Sequence, residues 1–153
     1  MHPEYRRMNQ KTEWIRMTKE KSCGAVVYKR TDGEPLFLIE RMALGHVSLP
    51  KGHVEGNETE EETALREIRE ETNLEVRLDT RFRHVIGYSP APGIWKDVVF
   101  FIAEAATDRL INQESEVSGL EWLPFREAVE AMTYDTDKET LTRAKSYLEE
   151  DRT

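Results

Sequence analysis

The residue pattern predicts an α+β fold: a mixed β-sheet sandwiched between helices in one domain. Three observations predict it. Short runs rich in Val, Ile, Leu, Phe and Tyr occupy residues 22–30, 35–42, 76–88, 97–105 and 119–123. One helical pattern, over residues 59–72, divides the early runs from the later ones, and two more, over 125–132 and 136–150, follow the last run. Hydrophobic residues make up 38% and charged residues 34% of the chain, a polar balance that still leaves enough large apolar side chains for a core. A chain of 153 residues buries most of that core and has little room for a second folding unit.

Residues 1–20 show neither clean alternation nor a helical stripe, so they are expected to form an extension outside the core, docked by Trp14 and Ile15. Met17 is an alternative translational start, and the domain proper is expected over 21–150. The runs 22–30 and 35–42 flank Thr31-Asp32-Gly33-Glu34, whose turn chemistry predicts a β-hairpin. Cys23, the only cysteine, opens the first run and is expected to be buried as a small hydrophobe; no disulfide framework exists. A glycine-containing loop, 45–56, leads to the first helix, with Thr59 as N-cap and Glu62 as its capping-box partner. Ala64, Leu65 and Ile68 are apolar at helical spacing and are expected to anchor that helix to the sheet until it ends near Thr72. The later strands are joined by loops at 89–96 and 107–118, and Pro124 closes the last of them. In the final helix Leu141, Ala144 and Leu148 form the apolar stripe.

The formal charge of -8 is unevenly placed. Residues 55–71 carry eight Glu against two Arg, so six of the net negative charges lie there, and the rest of the chain is near neutral. No basic stripe is present, which argues against nucleic acid as a partner. No apolar run approaches the roughly 20 residues of a membrane span, and the start of the chain has no apolar signal region, so a cytoplasmic protein is expected.

A local acidic cluster suggests divalent cations. Glu67, Glu70 and Glu71 stand at i, i+3 and i+4, which puts three carboxylates on one helix face within a turn, held toward solvent. Like charges so close repel, and a hard cation taking oxygen ligands is their natural partner. The surrounding spacing is more specific. Gly52, Glu58, Arg66, Glu67, Ile68, Glu70, Glu71 and Leu74 match eight of the nine specified positions of the Nudix box, and the segment resembles that family. The departure is Asn73, where the family has glycine; asparagine is the non-glycine residue that best tolerates the left-handed backbone expected after a helix end.

This resemblance implies a Nudix-type α/β/α sandwich and a hydrolase that uses Mg²⁺, with Mn²⁺ as a substitute, to cut a phosphoanhydride bond in a small-molecule nucleotide. It implies that Gly52, Glu67, Glu70, Glu71 and a later glutamate hold the metal, and that Arg66 and Glu58 form a buried pair bracing the helix. Glu116 is the expected later glutamate, with Glu114 second, and Glu70 or Glu116 is the expected general base. The run from Gly45 to Glu55, with Leu49-Pro50-Lys51-Gly52-His53-Val54-Glu55, resembles the asymmetric diadenosine tetraphosphate hydrolase branch, although Val47 stands where that branch commonly has tryptophan. His46, Lys51, His53 and Lys96 are the expected phosphate-side residues, and Tyr88 and Tyr134 the expected adenine-stacking ones. Products would then be ATP and AMP. The rival enzyme readings are a nucleoside triphosphate sanitiser and an RNA 5′-end pyrophosphohydrolase; a module that only senses a nucleotide has no need of the full Glu set. A monomer or homodimer fits either enzyme reading.

Overall fold

The structure is a computed structural model that describes residues 5–8 and 13–150, with side chains from Met17 to Glu150. Strands β1 (Tyr5–Met8) and β2 (Glu13–Arg16) pair antiparallel as a small sheet of their own. The expected docking of Trp14 and Ile15 concerns side chains that lie outside the described residues. β3 (Thr18–Lys29) begins before the apolar run that predicts it. Its polar start has no pattern of its own and is held by parallel pairing of Thr18 to Lys21 with residues 94–97.

A seven-stranded mixed sheet forms the middle layer. β4 (Leu36–Met42) completes the predicted hairpin with β3 and also pairs with β5 (Val47–Ser48). β6 (Lys51–His53) lies antiparallel against Ser22 to Gly24 of β3. These last two strands are too short for periodicity and fall inside the segment expected as a loop. Gly24 lets β6 approach: a Cβ there would stand 1.9 Å from the Pro50 carbonyl oxygen. β7 (Val76–Ala91) and β8 (Ile94–Ala105) form a long antiparallel hairpin that absorbs the expected 89–96 loop, turning at Gly93 with φ +79°. β9 (Val117–Pro124) pairs with β4 along its length.

Three helices cover the sheet, as the alternating strands require. Cys23, Ala25 and Val27 of β3 and Val99, Phe101 and Ala103 of β8 pack under α1 (Glu60–Thr72) through Ala64 and Ile68. The alternate residues, Val26 and Tyr28 with Val98, Phe100 and Ile102, pack under α2 (Phe125–Ala131) and α3 (Asp135–Glu150) through Ala128, Leu141, Ala144 and Leu148. Both faces of β3 and β8 are thus buried, which explains their unbroken apolar runs. Leu65 does not anchor α1 as expected: it is 42% exposed, and Thr63 and Thr72 are buried instead. Cys23 is fully buried, and burial, with Glu60 second, pushes its thiol up to about 11. No helix among the described residues is long and apolar enough to cross a membrane.

The ends of α1 are fixed by local chemistry. Thr59 and Glu62 form the capping box, with Glu62 N–H to Thr59 Oγ1 at 3.1 Å and Thr59 N–H to Glu62 Oε1 at 2.9 Å. Asn73 closes the helix in the left-handed region at φ 72°, its N–H reaching the Arg69 carbonyl at 2.9 Å. Glu60 ties the first turn to the sheet, accepting from Lys21 Nζ at 2.6 Å and from Arg83 Nε and Nη2 at 2.9 and 2.8 Å. Arg83 and Lys21 hold its carboxyl at about 2. An acid whose folded value is depressed stabilises the fold above its ordinary value and loses that contribution as pH falls toward the folded one. Glu60→Gln should therefore lower Tm at pH 7 but by pH 2 show no deficit against the parent, as a series of thermal melts would read.

Candidate active site

One guanidinium organises the loop before α1 and the exposed flank of the helix. Arg66 grips Glu58 in two-pronged fashion, Nε to Oε2 at 2.6 Å and Nη2 to Oε1 at 2.9 Å. Its Nη2 also donates to the His53 carbonyl at 2.9 Å, and Nη1 donates to Glu67 Oε1 at 2.8 Å and Glu70 Oε2 at 3.1 Å. Glu58 accepts further hydrogen bonds from Glu55 N–H at 3.0 Å and Thr63 Oγ1 at 3.1 Å. Arg66, then the Glu55 N–H, hold the Glu58 carboxyl at about 2. The pair expected to be buried is only partly so, at 20% and 21% side-chain exposure, because it closes a surface loop rather than a core layer.

The three carboxylates of the helix face meet different surroundings. Glu70 stays half-exposed beside Arg66. Glu67 lies against β6: a Cβ on Gly52 would stand 2.0 Å from its carboxyl carbon, so any side chain there would displace the carboxylate. Burial raises the Glu67 pKa despite Arg66. Glu71 does not face solvent as expected. It is 8% exposed and meets Glu40 of β4, itself 1% exposed, carboxyl to carboxyl. Burial raises both pKa values, and the charge of Glu40 raises that of Glu71 further, so the two do not ionise together. Glu71 Oε2 and Glu40 Oε1 are buried without a hydrogen-bond partner among the described residues. Among the described residues no three such side chains are drawn together as a ready cation site, but these orphaned oxygens, next to the carboxylate seated on Gly52, are hard oxygen donors of the kind a divalent cation takes. Sequence reasoning missed Glu40, although strand alternation places it on the same face as Leu38, toward α1.

The segment after β8 holds the C-terminal end of α1. Gln113 Nε2 donates to the Arg69 carbonyl at 2.8 Å and the Glu70 carbonyl at 3.3 Å, and Ile111 N–H reaches the Thr72 carbonyl at 3.1 Å. Gln113 satisfies carbonyls that every helix end leaves open, and no spacing rule in the sequence marks it. Glu116 is exposed; its carbonyl accepts from Ala43 N–H at 2.8 Å, and among the described residues no hydrogen bond or ion pair joins its carboxylate to α1. The carbonyl of Glu114 accepts from Val117 N–H at 3.1 Å.

A cleft of ≈ 490 Å³ opens between β6, β7 and the start of α3. It gathers His46 and Lys51, Tyr88, and Tyr134 from three distant parts of the chain. The His46 and Tyr134 rings lie 6.0 Å apart, tilted by 50°, and both tyrosines are exposed, at 40% and 53%. Lys96 lies in register with Tyr88 across the β7–β8 hairpin, and burial followed by the charge of Lys51 lowers its pKa. His53 is exposed and enters the cluster through its carbonyl. Asp137 also lines the cleft, at 3% exposure. Sequence reasoning missed it too. It falls at i, i+4, i+7 and i+11 with Leu141, Ala144 and Leu148, so a carboxylate on the apolar stripe was the available signal.

Comparison with known proteins agrees with this arrangement. Residues 18–144 match the NUDIX domain. The chain is 31% identical over 140 residues to the mouse bis(5'-nucleosyl)-tetraphosphatase [asymmetrical], covering 84% of this chain and 95% of the relative. It is 32% identical over 133 residues to an 8-oxo-(d)GTP phosphatase of Mycolicibacterium smegmatis, 80% of this chain but 40% of that longer protein. The crystal structure of a C. elegans Ap4A hydrolase binary complex superposes with a TM-score of 0.77 at 25% identity, covering 84% of this chain and 97% of that one. With Glu58, Glu67 and Glu70 gathered around Arg66 at the flank of α1 in an α/β/α sandwich, and the domain match spanning most of its length, the chain belongs to the Nudix family of pyrophosphohydrolases.

Proposed function

We propose that the protein hydrolyses diadenosine tetraphosphate to ATP and AMP. The observation that carries this reading is the position of Lys51. Its side chain lines the cleft that holds Tyr88 and Tyr134, while its charge acts on Glu40 and Glu71 at the helix. A base stacked on a tyrosine would send its phosphate chain past Lys51 and Lys96 toward the carboxylates. The likeness to asymmetric tetraphosphatases supports the same substrate class.

Glu67, Glu70, Glu71 and the Gly52 carbonyl would hold Mg²⁺ or Mn²⁺, with Glu116 joining from its loop. When bound, the ion neutralises phosphate oxygens and makes water a better nucleophile. The chain's own part is positioning. Arg66 occupies Glu70 Oε2 and leaves Oε1 to take a proton from the attacking water. The water oxygen bonds to phosphorus as the anhydride oxygen departs, and Lys51 and Lys96 balance the charge of the departing phosphate. A triphosphate-sanitising activity is the second reading, favoured by the likeness to the 8-oxo-(d)GTP phosphatase.

Three outcomes test these assignments. Glu70→Gln and Glu71→Gln should keep the fold and lower kcat by roughly a hundredfold or more, the loss expected when a carboxylate ligand is neutralised. Near-normal turnover in both would reject the metal assignment. In chelator-treated protein Glu71→Gln should raise Tm, and more at pH 8 than at pH 5, because an acid with a raised folded value costs stability as pH climbs above its ordinary value. Added Mg²⁺ should stabilise the parent and not the variant. Finally, diadenosine tetraphosphate should be preferred to ATP, chromatography should show ATP and AMP, and Tyr134→Ala should raise KM by roughly tenfold, as a lost base stack does. Two ADP as products would refute the asymmetric register, and a higher kcat/KM for a triphosphate would favour the sanitising reading.

A further inference from the structure

Asp137 is a largely buried residue on the cleft lining whose carboxylate has no hydrogen-bond or ion-pair partner among the described residues. It sits in the first turn of α3 at 3% exposure, its backbone N–H bonded to the Tyr134 carbonyl at 3.1 Å. Its side chain lines the cleft between Tyr88 and Tyr134, and among the described residues no hydrogen bond or ion pair reaches it. Lys51 acts on it only through space. Buried carboxylates are costly unless hydrogen-bonded, and the helix N-terminus offers charge compensation but here no donor. The cleft therefore lacks a donor that a ligand can bring.

The ligand's parts differ in what they can offer. Phosphates carry no donor at neutral pH. Among base edges, guanine presents N1–H and N2–H side by side and in plane, matching the two oxygens of one carboxylate. Adenine presents its N6 amine beside the N1 acceptor, so the second carboxylate oxygen would face a lone pair; cytosine repeats this mismatch, and uracil offers a single N–H between two carbonyls. We propose that Asp137 is a specificity-determining residue that reads the base edge, and that the cleft takes guanine in preference to adenine. The inference rests on the reading of this cleft as a base site, and it ranks guanine-bearing dinucleoside tetraphosphates above diadenosine tetraphosphate. Burial lifts the Asp137 carboxyl to about 6, so the anionic form with two acceptors predominates in an assay near pH 7.5.

The test is steady-state kinetics on diguanosine, diadenosine and diinosine tetraphosphates with the parent, Asp137→Asn and Tyr134→Ala. The parent should show a KM for the diguanosine compound roughly tenfold or more below that for the diadenosine compound, the discrimination of one two-pronged base contact. Diinosine tetraphosphate, which lacks the N2 amine, should lose most of that advantage. Asp137→Asn, with one acceptor and one donor, should reverse the KM order toward adenine. The parent comparison with diinosine tetraphosphate needs no variant, so the proposal stays testable should Asp137→Asn fold poorly. Equal KM values for the three substrates in the parent, or an order that Asp137→Asn leaves untouched, would overturn it. If Tyr134→Ala still raises every KM in that event, the base site stands and only its selectivity fails; if it raises none, the base-site reading falls as well.

Discussion

The guanidinium of Arg66 sits where a surface loop and a helix flank would otherwise fly apart electrostatically. Glu55, Glu58, Glu67 and Glu70 all place an oxygen within 3.6 Å or less of it. A lysine could neutralise one or two of them, but a planar fork of five donors can hold Glu58 in two-pronged fashion and still reach two more carboxylates and a backbone carbonyl. The loop after β6, from Glu55 to Glu58, is held by that fork together with the Glu55 N–H on Glu58, while Val54 before it packs on the core and bonds to the Lys21 carbonyl. Ala64 and Ile68, fully buried, fix the helix beneath it. The positions of Glu67 and Glu70 follow from these two anchors.

On the inner side of the same helix the balance is reversed. Glu71 and Glu40 face each other with no guanidinium between them, and each retains an orphaned oxygen. The fold tolerates this because the rest of α1 is over-determined: a capping box, a left-handed asparagine cap, two cations on Glu60 and a loop on its last carbonyls. Local consistency elsewhere in the helix permits a local conflict at Glu71 in its last turn, and functional sites are where the rules of a stable design are expected to break.

That division also decides what could be read from the sequence. Thr59, Glu62 and Asn73 act through bonds spanning three or four residues, so local pattern sufficed for the helix and its caps. The α1–Glu58 clamp carried a recognisable spacing for the same reason. Failures came where a partner lies far along the chain. Glu40 and Glu71 are separated by more than one element, and only the stacking of β4 beneath α1 brings them together. β5 and β6 exist because β4 and β3 pair with them, not because two or three residues favour a strand. The polar start of β3 and the tip of the β7–β8 hairpin are likewise strands made by their neighbours. Leu65 misled because helical spacing defines a stripe about 100° wide and Leu65 lies just beyond it.

The three residues of β6 join the two halves of the site. Lys51 turns to the cleft, Gly52 supplies the bare backbone on which Glu67 rests, and the carbonyl of His53 receives Arg66. A strand advances about 3.3 Å per residue, so the span from the phosphate-side lysine to the carboxylate helix is set by covalent geometry. Gly24 keeps that ruler pressed against β3. A substrate held by its base at the cleft would then present one linkage, at a fixed number of phosphates from the base, to the carboxylates of α1. The register of cleavage is in this view a property of a three-residue strand, and it does not depend on any contact with the far end of the substrate.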